Sequence, residues 1–284
     1  MILNMVLGGH STINGKVVLK TVASGYSISA GDFISFDSAD NVIPASGVIR
    51  GVARSSGTGG KQIYIYIPLI TSFADATWTE VIAACQSGEI PAAWAVGNSK
   101  TMTIDGTNYQ VDIIGKNHDT YSDGSGTAPL TFQLHDCYGT KYAMNRSNTN
   151  SGGWTSCAMR STHLPAILAL MPSEVQAGIK EVNKLTSAGS QSSTINTTAD
   201  KLFLLSEIEI FGSATNSKSG EGSQYAYYSA GNSKVKNLSG SAYTWWDRSP
   251  RGSNSTYFCG VNSTGNAYYS NASNSYGVSF AFCF

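Results

Sequence analysis

The sequence predicts an α+β protein that begins with a small all-β segment, either a barrel or a sandwich. Three observations predict this class. Short apolar runs separated by turn residues fill residues 1–70 without any helical pattern, a helix signal follows at Thr77, and the last seventy residues return to short, glycine-punctuated strands. We therefore predict two domains, residues 1–70 and residues 71–284.

Residues 1–70 have the pattern of strands throughout. The segment Gln62–Ile67 alternates polar and apolar side chains, which is typical of a strand with one buried face. The segment contains almost no cluster of titratable groups, so we expect it to attach the protein to something rather than to perform chemistry. The apolar runs that predict its strands are Val17–Leu19, Phe33–Phe36, Val48–Ala53 and Ile63–Ile67.

A capping box at Thr77 and Glu80 predicts the first helix, which Gly88 should end. Its expected buried face comprises Trp78, Val81, Ile82 and Cys85. Strands are predicted at Met102–Ile104, Tyr109–Ile114 and Leu130–Leu134.

Two further helices and a strand are predicted from apolar spacing. Leu164, Ile167, Leu168 and Met171 recur at helical spacing before Pro172, which should end that helix. Ser173 and Gln176 should cap a third helix, which buries Val175, Ile179 and Val182. Residues 201–211 form the most apolar β segment of the sequence.

Composition excludes several classes of protein. The chain has 284 residues, of which 41% are hydrophobic and 13% charged, and its 18 basic and 18 acidic residues balance. A nucleic-acid-binding protein would need a basic surface, and a disordered chain would need low hydrophobicity with high net charge. The longest apolar run, Leu164–Met171, is shorter than the ~18–20 residues of a membrane span. We expect no nucleic-acid partner and no membrane insertion.

The cysteines and the N-terminus predict synthesis in a reducing compartment. Five cysteines without C-x-x-C pairs favour free, buried thiols. The first five residues carry no basic segment and no cleavage site, so we expect no secretory signal. The cysteines are Cys85, Cys137, Cys157, Cys259 and Cys283.

No motif of a known catalytic, cofactor or metal site occurs in the sequence. The four histidines, His10, His118, His135 and His163, lie in no motif. We therefore expect no catalytic residue, no cofactor and no metal.

Two acidic pairs have alternative interpretations. Glu207 and Glu209 share a strand face at i and i+2, either as a carboxylate pair or as members of a structural salt bridge. Asp119 and Asp123 either ligate calcium or form an ordinary turn.

The last forty residues are the most informative part of the sequence. From Gly252 to Phe284 no residue is charged, and Tyr, Ser, Gly and Asn fill the spaces between apolar anchors. This composition is typical of antibody paratopes, in which Tyr supplies rigid contact area and Ser and Asn supply adaptable hydrogen bonds. The residues predicted to line one exposed binding face are Asp247, Arg251, Asn254, Tyr257, Asn262, Tyr268, Tyr269, Asn271 and Tyr276.

A buried scaffold is predicted beneath that face. Trp246 could be a sugar-stacking platform, but the W-W-x-R-S-P motif favours burial of both tryptophans, and Arg248 is predicted to be a structural partner. The predicted scaffold residues are Trp245, Trp246, Phe258, Val261, Val278, Phe280 and Phe282.

Four separated motifs carry a resemblance to a known family. They are Gly152-Gly153-Trp154 with Ser156, Met159 and Arg160; Asp200–Glu207; Trp245–Pro250; and Gly277–Phe282. Residues 78–284 resemble the C-type-lectin-like domains of bacteriophage and gut-bacterial proteins, which are distantly similar to the formylglycine-generating-enzyme fold. The catalytic cysteine motif of those enzymes is not recognisable here. The resemblance therefore implies a C-type-lectin-like α+β domain that binds without catalysis.

Some members of this family resemble the variable proteins of diversity-generating retroelements. In those proteins, mutation of adenines in Asn-type codons yields Asn, Ser, Tyr, Thr, Gly, Asp and Arg at exposed sites. The C-terminal composition matches that pattern, and plain polar drift is the alternative.

Residues 1–70 resemble, more weakly, the β modules of phage head-decoration proteins. The matching residues are Gly31-Asp32-Phe33, Gly51-Val52-Ala53 and Ser56–Gly59. This resemblance implies an anchor to virion proteins, either the major capsid protein or a tail protein.

Together the two resemblances imply a virion surface protein of head-decoration or fibre type, made in the bacterial cytoplasm. It would adhere to a host surface glycan or protein and form a homo-oligomer, most simply a trimer. The alternatives are a tail or baseplate receptor-binding protein, or a glycan hydrolase that uses Glu207, Glu209 or Asp247.

Overall fold

The protein is an α+β protein in which strands predominate over helices. The structure, a computed structural model, describes residues 2–6, 12–37, 39, 41–44, 51–53, 55–68 and 72–284. His10 and residues 48–50 of the predicted Val48–Ala53 strand lie outside the described residues. The chain divides into two compact units, residues 1–71 and residues 72–284. The roles predicted for the two segments remain predictions.

All regular elements described in the first unit are strands. Six form an antiparallel sheet in the order β1-β2-β8-β6-β4-β5, and β3 pairs with β7. No ladder among the described residues joins β1 to β5, so the barrel predicted as one of two alternatives is corrected to an open sheet. The strands are β1 (Ile2–Val6), β2 (Thr12–Thr21), β3 (Ser27–Ile28), β4 (Phe33–Phe36), β5 (Val42–Pro44), β6 (Gly51–Ala53), β7 (Gly57–Thr58) and β8 (Gln62–Pro68).

The first unit buries a small aliphatic core. Ile63 and Ile65 on β8 are fully buried, whereas Tyr64 between them is 56% exposed. The predicted alternation along β8 is therefore confirmed at these three positions. The core cluster comprises Val22, Ile28, Ile34, Val42, Ala53, Ile63 and Ile65.

The second unit contains the helices. They are α1 (Trp78–Ser87), α2 (Gly153–Ser156), α3 (Leu164–Leu168), α4 (Ser173–Gly178), α5 (Glu207–Phe211) and α6 (Ala226–Ser229), with a π-helical segment, Met159–His163, directly before α3. No helix in the described residues is both long and apolar enough to cross a bilayer.

Fourteen strands complete the second unit within the described residues. Five form the sheet β15-β22-β11-β10-β9, three form the sheet β18-β19-β20, and three strand pairs lie apart. They are β9 (Ser99–Ile104), β10 (Thr107–Lys116), β11 (Leu130–Leu134), β12 (Tyr142–Ala143), β13 (Val182–Ser187), β14 (Ile195–Asp200), β15 (Leu202–Phe203), β16 (Lys236–Leu238), β17 (Ser241–Tyr243), β18 (Trp245–Pro250), β19 (Tyr257–Val261), β20 (Ala267–Asn271), β21 (Ser275–Tyr276) and β22 (Ala281–Cys283).

Helix α1 forms as the sequence predicts. The Thr77 hydroxyl accepts from the Glu80 amide at 3.2 Å, and the Glu80 carboxylate accepts from the Thr77 amide at 2.8 Å. Gly88 ends the helix at φ 72°, in the left-handed region that glycine adopts without strain. The predicted buried face of α1 is confirmed.

Aromatic packing joins α1 to the five-stranded sheet. Phe132 on β11 stacks against Phe282 on β22 with ring centroids 5.3 Å apart, and against Phe73 at 5.8 Å. Trp78 presents its ring edge to Phe132 at 6.0 Å. Such offset and edge-to-face pairs contribute about 0.5–1.5 kcal/mol each beyond burial of their area.

The prediction of one long strand over residues 201–211 is wrong. Leu202 and Phe203 pair with β22, and the chain then enters helix α5 at Glu207. Ser206 and Glu209 form a capping box, because the Ser206 side chain accepts from the Glu209 amide and the Glu209 carboxylate accepts from the Ser206 amide. Burial on all sides gives this segment its continuous apolar pattern, which mimics a strand.

The two middle helices differ from prediction at their ends. The helix expected to continue to Met171 ends at Leu168, where Ile167 is buried and Leu168 is half-buried. Ser173 does not cap α4: Pro172 is the N-cap residue, and the Gln176 side chain donates to the Met171 carbonyl at 2.7 Å. Val182 is buried, as predicted, but in strand β13.

All five cysteines are free and buried, as predicted. Burial raises the pKa of Cys85, Cys137 and Cys157 to about 12, so these thiols stay protonated at neutral pH.

Candidate functional site

Strands β19 and β20 form a hairpin that carries three of the predicted tyrosines. Asn262 closes its loop: its side-chain oxygen accepts from the Thr264 and Asn266 amides at 3.0 Å each, and Gly265 turns the chain at φ 85°. The register sets Tyr257 opposite Asn271 and Cys259 opposite Tyr269. Because paired residues share a sheet face, Tyr257, Tyr269 and Asn271 lie on one side of the sheet. Tyr268, which pairs with Gly260, lies on the other side, at the edge strand β20.

The tyrosine rings form one continuous cluster. Tyr257 and Tyr269 stack at 5.7 Å, Tyr269 and Tyr268 stack at 6.2 Å, and Tyr268 meets Tyr276 edge-on at 6.2 Å. Tyr268 and Tyr269 are each 37% exposed. The nearby Tyr276 hydroxyl, followed by partial burial, raises the pKa of Tyr268, so its hydroxyl remains a hydrogen-bond donor at neutral pH.

The Arg251 side chain packs against the rings of Tyr257 and Tyr269. Its guanidinium carbon lies 3.3 Å from the centroid of Tyr269 and 5.6 Å from that of Tyr257. The loop between β18 and β19 holds it there, since the Arg251 amide donates to the Tyr257 carbonyl at 3.0 Å. The prediction of one exposed face is wrong for Tyr268, which lies on the opposite side of the sheet from Tyr257, Tyr269 and Asn271, so the rings continue around the edge of β20. We call Arg251, Tyr257, Tyr268, Tyr269, Asn271 and Tyr276 the tyrosine face.

Two predicted asparagines shape loops instead of joining the rings. Asn262 closes the hairpin at the far end of β19 from Tyr257. Asn254 closes the other loop, because its side-chain oxygen accepts from the Thr256 amide and hydroxyl at 2.7 Å each.

Asp247 was predicted to be exposed, and that prediction is wrong. Asp247 is fully buried, as is every residue of β18, because α2, α5 and β13 pack against this strand. One carboxylate oxygen accepts from the Ser249 amide at 2.7 Å, and the other, Oδ2, has no partner among the described residues. Burial, followed by the charge of Glu207, raises the pKa of Asp247 well above its ordinary value, which favours the neutral acid.

The scaffold predicted beneath the face is confirmed. Trp245 and Trp246 are fully buried, and their ring nitrogens donate to the carbonyls of Lys234 and Tyr142 at 3.0 Å each. Trp246 is therefore a core residue and presents no platform to a sugar. The other predicted scaffold residues, Phe258, Val261, Val278, Phe280 and Phe282, are also fully buried.

Asn150 stabilises the loop next to the tyrosine face, and no sequence motif predicted this role. It is fully buried, and its amide nitrogen donates to the carbonyls of Asn254 and Tyr257 at 2.7 Å each. Its oxygen accepts from the Ser190 amide at 2.8 Å. Asn150 thereby fixes the loop that carries Arg251 and the start of β19, although it lies about a hundred residues away in sequence.

Glu207 and Glu209, two of the carboxylates considered for hydrolysis, are buried and bonded to other protein groups. Glu207 is fully buried and accepts from the Asn216 and Ser217 amides at 2.8 Å each. Glu209 is paired with Arg248 and, at 2.7 Å, with Lys184. Glu207 and Glu209 lie on helix α5, so the prediction that they share a strand face is wrong. The alternative prediction of a structural salt bridge is confirmed for Glu209. Arg248 is a structural partner, as predicted.

Asp119, one of the two residues considered for calcium, belongs to the same charged network. It lies 2.7 Å from the Lys184 ammonium. Burial raises the pKa of Asp119, but the charge and hydrogen bond of Lys184, together with the Thr131 hydroxyl, outweigh burial and hold that pKa at about 2. Asp123 instead accepts from the Ser125 amide in an exposed turn. In the described part of the chain, no group of three or more His, Cys, Asp or Glu residues could hold a metal ion.

A cavity of about 530 Å³ lies over this network. Asp119, Lys184 and Glu209 form part of its lining, and each is already bonded to protein partners. A ligand there would meet few free polar groups, so the cavity is a weaker candidate than the tyrosine face. Its polar wall residues include His118, Thr120, Asn183, Thr197 and Ser223.

The structure also contains an aspartate–histidine pair that the sequence did not predict. The His135 Nδ1 atom lies 2.7 Å from the Asp112 carboxylate, which also accepts from the Ser99 hydroxyl at 2.5 Å. The hydrogen bond that the His135 ring donates to the Asp112 carboxylate raises the pKa of His135. Asp112, a charged residue between the apolar residues Val111 and Ile113, was the available signal.

The tyrosine face has the chemical features of a recognition surface. Its rings offer flat, rigid apolar area with hydroxyl groups at the edges, and the antiparallel sheet beneath holds them in place. Within the six residues of this face there is no carboxylate, histidine or thiol to act as a nucleophile or a general base.

Comparisons with known proteins identify the family but no close relative. No curated protein and no solved structure matches the chain. Residues 130–284 match the family described as a domain of unknown function, DUF6273. The matched segment runs from β11 to the C-terminus and includes the whole tyrosine face and its scaffold. It covers more than half of the 284 residues, so the chain belongs to the DUF6273 family.

Proposed function

We propose that the chain is a bacteriophage virion surface protein that adheres to a host surface glycan or protein through the tyrosine face. The observation that carries this proposal is the continuous ring cluster Tyr257–Tyr269–Tyr268–Tyr276, part-exposed on a fixed hairpin. Exposed tyrosines supply large contact area at low entropic cost, and their hydroxyls serve as donors and acceptors.

The proposal includes a C-type-lectin-like architecture for residues 72–284. The motif residues that carry the resemblance converge, which supports it: Trp154 and Arg160 both donate to Asp200, at 2.9 and 2.5 Å. Arg248 of another motif donates to the Leu204 carbonyl, 2.9 Å away, next to Leu205 and Ser206. Residues that interlock in this way act as a fixed scaffold, which leaves the neighbouring loops free to vary.

The first unit is the proposed anchor, and several copies of the chain are proposed to associate through it, as a trimer. Leu19 on β2 and Tyr64 on β8 pair directly in the sheet and are 47% and 56% exposed. Two adjacent large apolar side chains on a sheet surface favour contact with another protein. The partner is a second copy or a virion protein, in the head for a decoration protein and in the tail for a receptor-binding protein.

One experiment separates adhesion from hydrolysis. The full chain is incubated with bacterial cells and with their purified surface polysaccharides, and both retained protein and newly released reducing ends are measured. Retention without new reducing ends supports adhesion. If reducing ends are released, and if that release disappears in Glu207→Gln, Glu209→Gln or Asp247→Asn, the protein is a glycan hydrolase rather than an adhesin.

The flanking DNA tests diversification of the face. A near-repeat of the codons for residues 245–284 that differs mainly at adenines, beside a reverse transcriptase gene, supports a diversified adhesin. Without such a repeat, a fixed-sequence adhesin is the better account.

A further inference from the structure

We propose that Arg251 is a carboxylate-binding subsite, so that the glycan bound by the tyrosine face is an acidic polysaccharide whose sugars carry carboxylates. This inference rests on the proposed adhesive function and specifies its ligand class. It begins from the side-chain partners of Arg251 and from the charges around it.

The Arg251 guanidinium is held in place without being neutralised. It lies flat enough on Tyr269 for its central carbon to approach the ring centroid to 3.3 Å, yet it donates no hydrogen bond and forms no ion pair within the described residues. An arginine normally saturates several of its five donors when packed against protein. Its terminal nitrogens are therefore available to a ligand.

The geometry restricts how a ligand approaches. The Arg251 Nε atom is buried and has no partner, so a ligand cannot reach it, and only the outer pair of terminal nitrogens remains. Two parallel N–H groups at a fixed spacing match the two oxygens of a carboxylate. Stacking on Tyr269 removes rotational freedom beforehand, which reduces the entropic cost of binding.

The nearby acidic groups leave the Arg251 guanidinium without an ion-pair partner in the described part of the chain. Asp247 is fully buried and favours its neutral form, and the Glu207 carboxylate is bonded to the Asn216 and Ser217 amides rather than to Arg251. The side chain of Lys218 passes Gly252, since its Cδ lies 3.2 Å from where a Cβ on Gly252 would be. A second cation therefore lies beside the loop of Arg251, and an anionic ligand is attracted.

The tyrosines select a sugar as the carrier of this carboxylate. Tyr269 contacts the guanidinium, and Tyr268, which stacks on Tyr269 at the edge of the sheet, extends the exposed ring surface. The apolar face of a pyranose ring can lie on such a surface while its carboxylate reaches Arg251. An acidic polysaccharide supplies both groups at each repeat, so several copies of the chain gain avidity along one polymer.

The test uses the full chain and chemically matched polymers. Alginate, polygalacturonate and polysialic acid are the carboxylate probes, and each is compared with its carboxyl-reduced form, in which the carboxylates have become primary alcohols. Dextran sulfate probes general anion attraction. We expect at least one carboxylate polymer to bind roughly 10-fold or more tightly than its reduced form.

Substitutions assign the effect to Arg251. Arg251→Gln should abolish the difference between a polymer and its reduced form, and Arg251→Lys should retain only part of it, because an ammonium lacks the planar fork. Lys116→Gln removes an exposed positive charge at the end of β10 and should change nothing.

Four results would overturn the subsite. They are equal binding of acidic and reduced polymers, a preference that survives Arg251→Gln, equally tight binding of dextran sulfate, and no binding of any of the three acidic polymers. If cells or neutral glycans still bind and Tyr268→Ser with Tyr269→Ser removes that binding, the adhesive function stands and only the carboxylate subsite fails.

Discussion

Arg248 and Glu209 form a two-point ion pair inside the second unit. The Nη1 atom of Arg248 lies 2.5 Å from Oε2 of Glu209, and Nη2 lies 3.0 Å from Oε1. Both side chains are buried, and Lys184 contacts the same carboxylate at 2.7 Å. Arg248 also donates to Thr186 on β13, at 2.8 Å, so the pair fastens β18 to α5 and β13.

Removing Arg248 should strongly destabilise the second unit. We expect Arg248→Gln to lower its free energy of unfolding by about 3–5 kcal/mol, because a buried carboxylate loses its main partner. Urea denaturation followed by tryptophan fluorescence measures this unit alone, since all five tryptophans lie between residues 78 and 246. Lys116→Gln serves as the control, and a loss below about 1 kcal/mol for Arg248→Gln would contradict this role.

Replacing Asn150 should loosen the support of the tyrosine face. Asn150→Ala leaves the Asn254 and Tyr257 carbonyls without their buried donor, at a cost of about 1–3 kcal/mol for each unsatisfied group. We expect faster amide hydrogen exchange in residues 251–257. Asn232→Ala, which removes an exposed asparagine, should leave exchange in that loop unchanged. Unaltered exchange in Asn150→Ala would mean that the loop is held by other contacts.

Glu221 should make the second unit less stable as the pH rises. Burial raises its pKa from 4.5 to about 7, so between these values the folded state binds more protons than the unfolded state. Stability from this group is fully present below pH 4.5 and is lost as pH approaches 7, by about 3 kcal/mol in total. Asp247, whose pKa is also raised, adds to the same trend.

The variant Glu221→Gln should flatten this slope. Urea midpoints measured from pH 4.5 to pH 7.5 give the comparison, with Glu181→Gln, at an exposed carboxylate, as the control. A wild-type midpoint that rises over this range, or a slope in Glu221→Gln as steep as that of the wild type, would contradict the role of the buried Glu221.

The exposed pair on the first unit should govern association. Replacing Leu19 and Tyr64 together by Ser removes two large exposed apolar side chains that β2 and β8 can present to a neighbouring copy, at about 25 cal/mol per Å². Light scattering should then change from a trimer to a monomer, whereas Lys61→Gln should leave the trimer intact. A wild-type chain that is already monomeric at micromolar concentration would remove the basis for self-association and leave attachment to another virion protein.

Local signals account for what the sequence predicted well. The capping box at Thr77 and the alternation along Gln62–Ile67 depend on residues a few positions apart, and both appear as expected. The seven scaffold residues were also recognisable, because large apolar side chains within a polar segment are usually buried in the core.

The failures involve partners that are distant in sequence. Asp247 is buried because helices and strands from three other segments cover β18, and no local pattern contains that information. Residues 201–211 resembled a strand because burial on all sides hides helical periodicity. Asn150 and the His135–Asp112 pair are defined only by contacts between separated segments.

The most direct test of the account measures binding by a chain whose tyrosine face is altered and whose core is intact. The dissociation constant of the full chain for cells to which the wild type binds is compared between wild type and the double variant Tyr268→Ser with Tyr269→Ser. Both side chains are part-exposed and lie at the edge of the sheet, so the double variant should still fold cooperatively, which urea denaturation checks. We expect affinity to fall roughly 10-fold or more, since aromatic residues dominate such contacts. An unchanged dissociation constant in the folded double variant would contradict the assignment of the tyrosine face as the recognition surface.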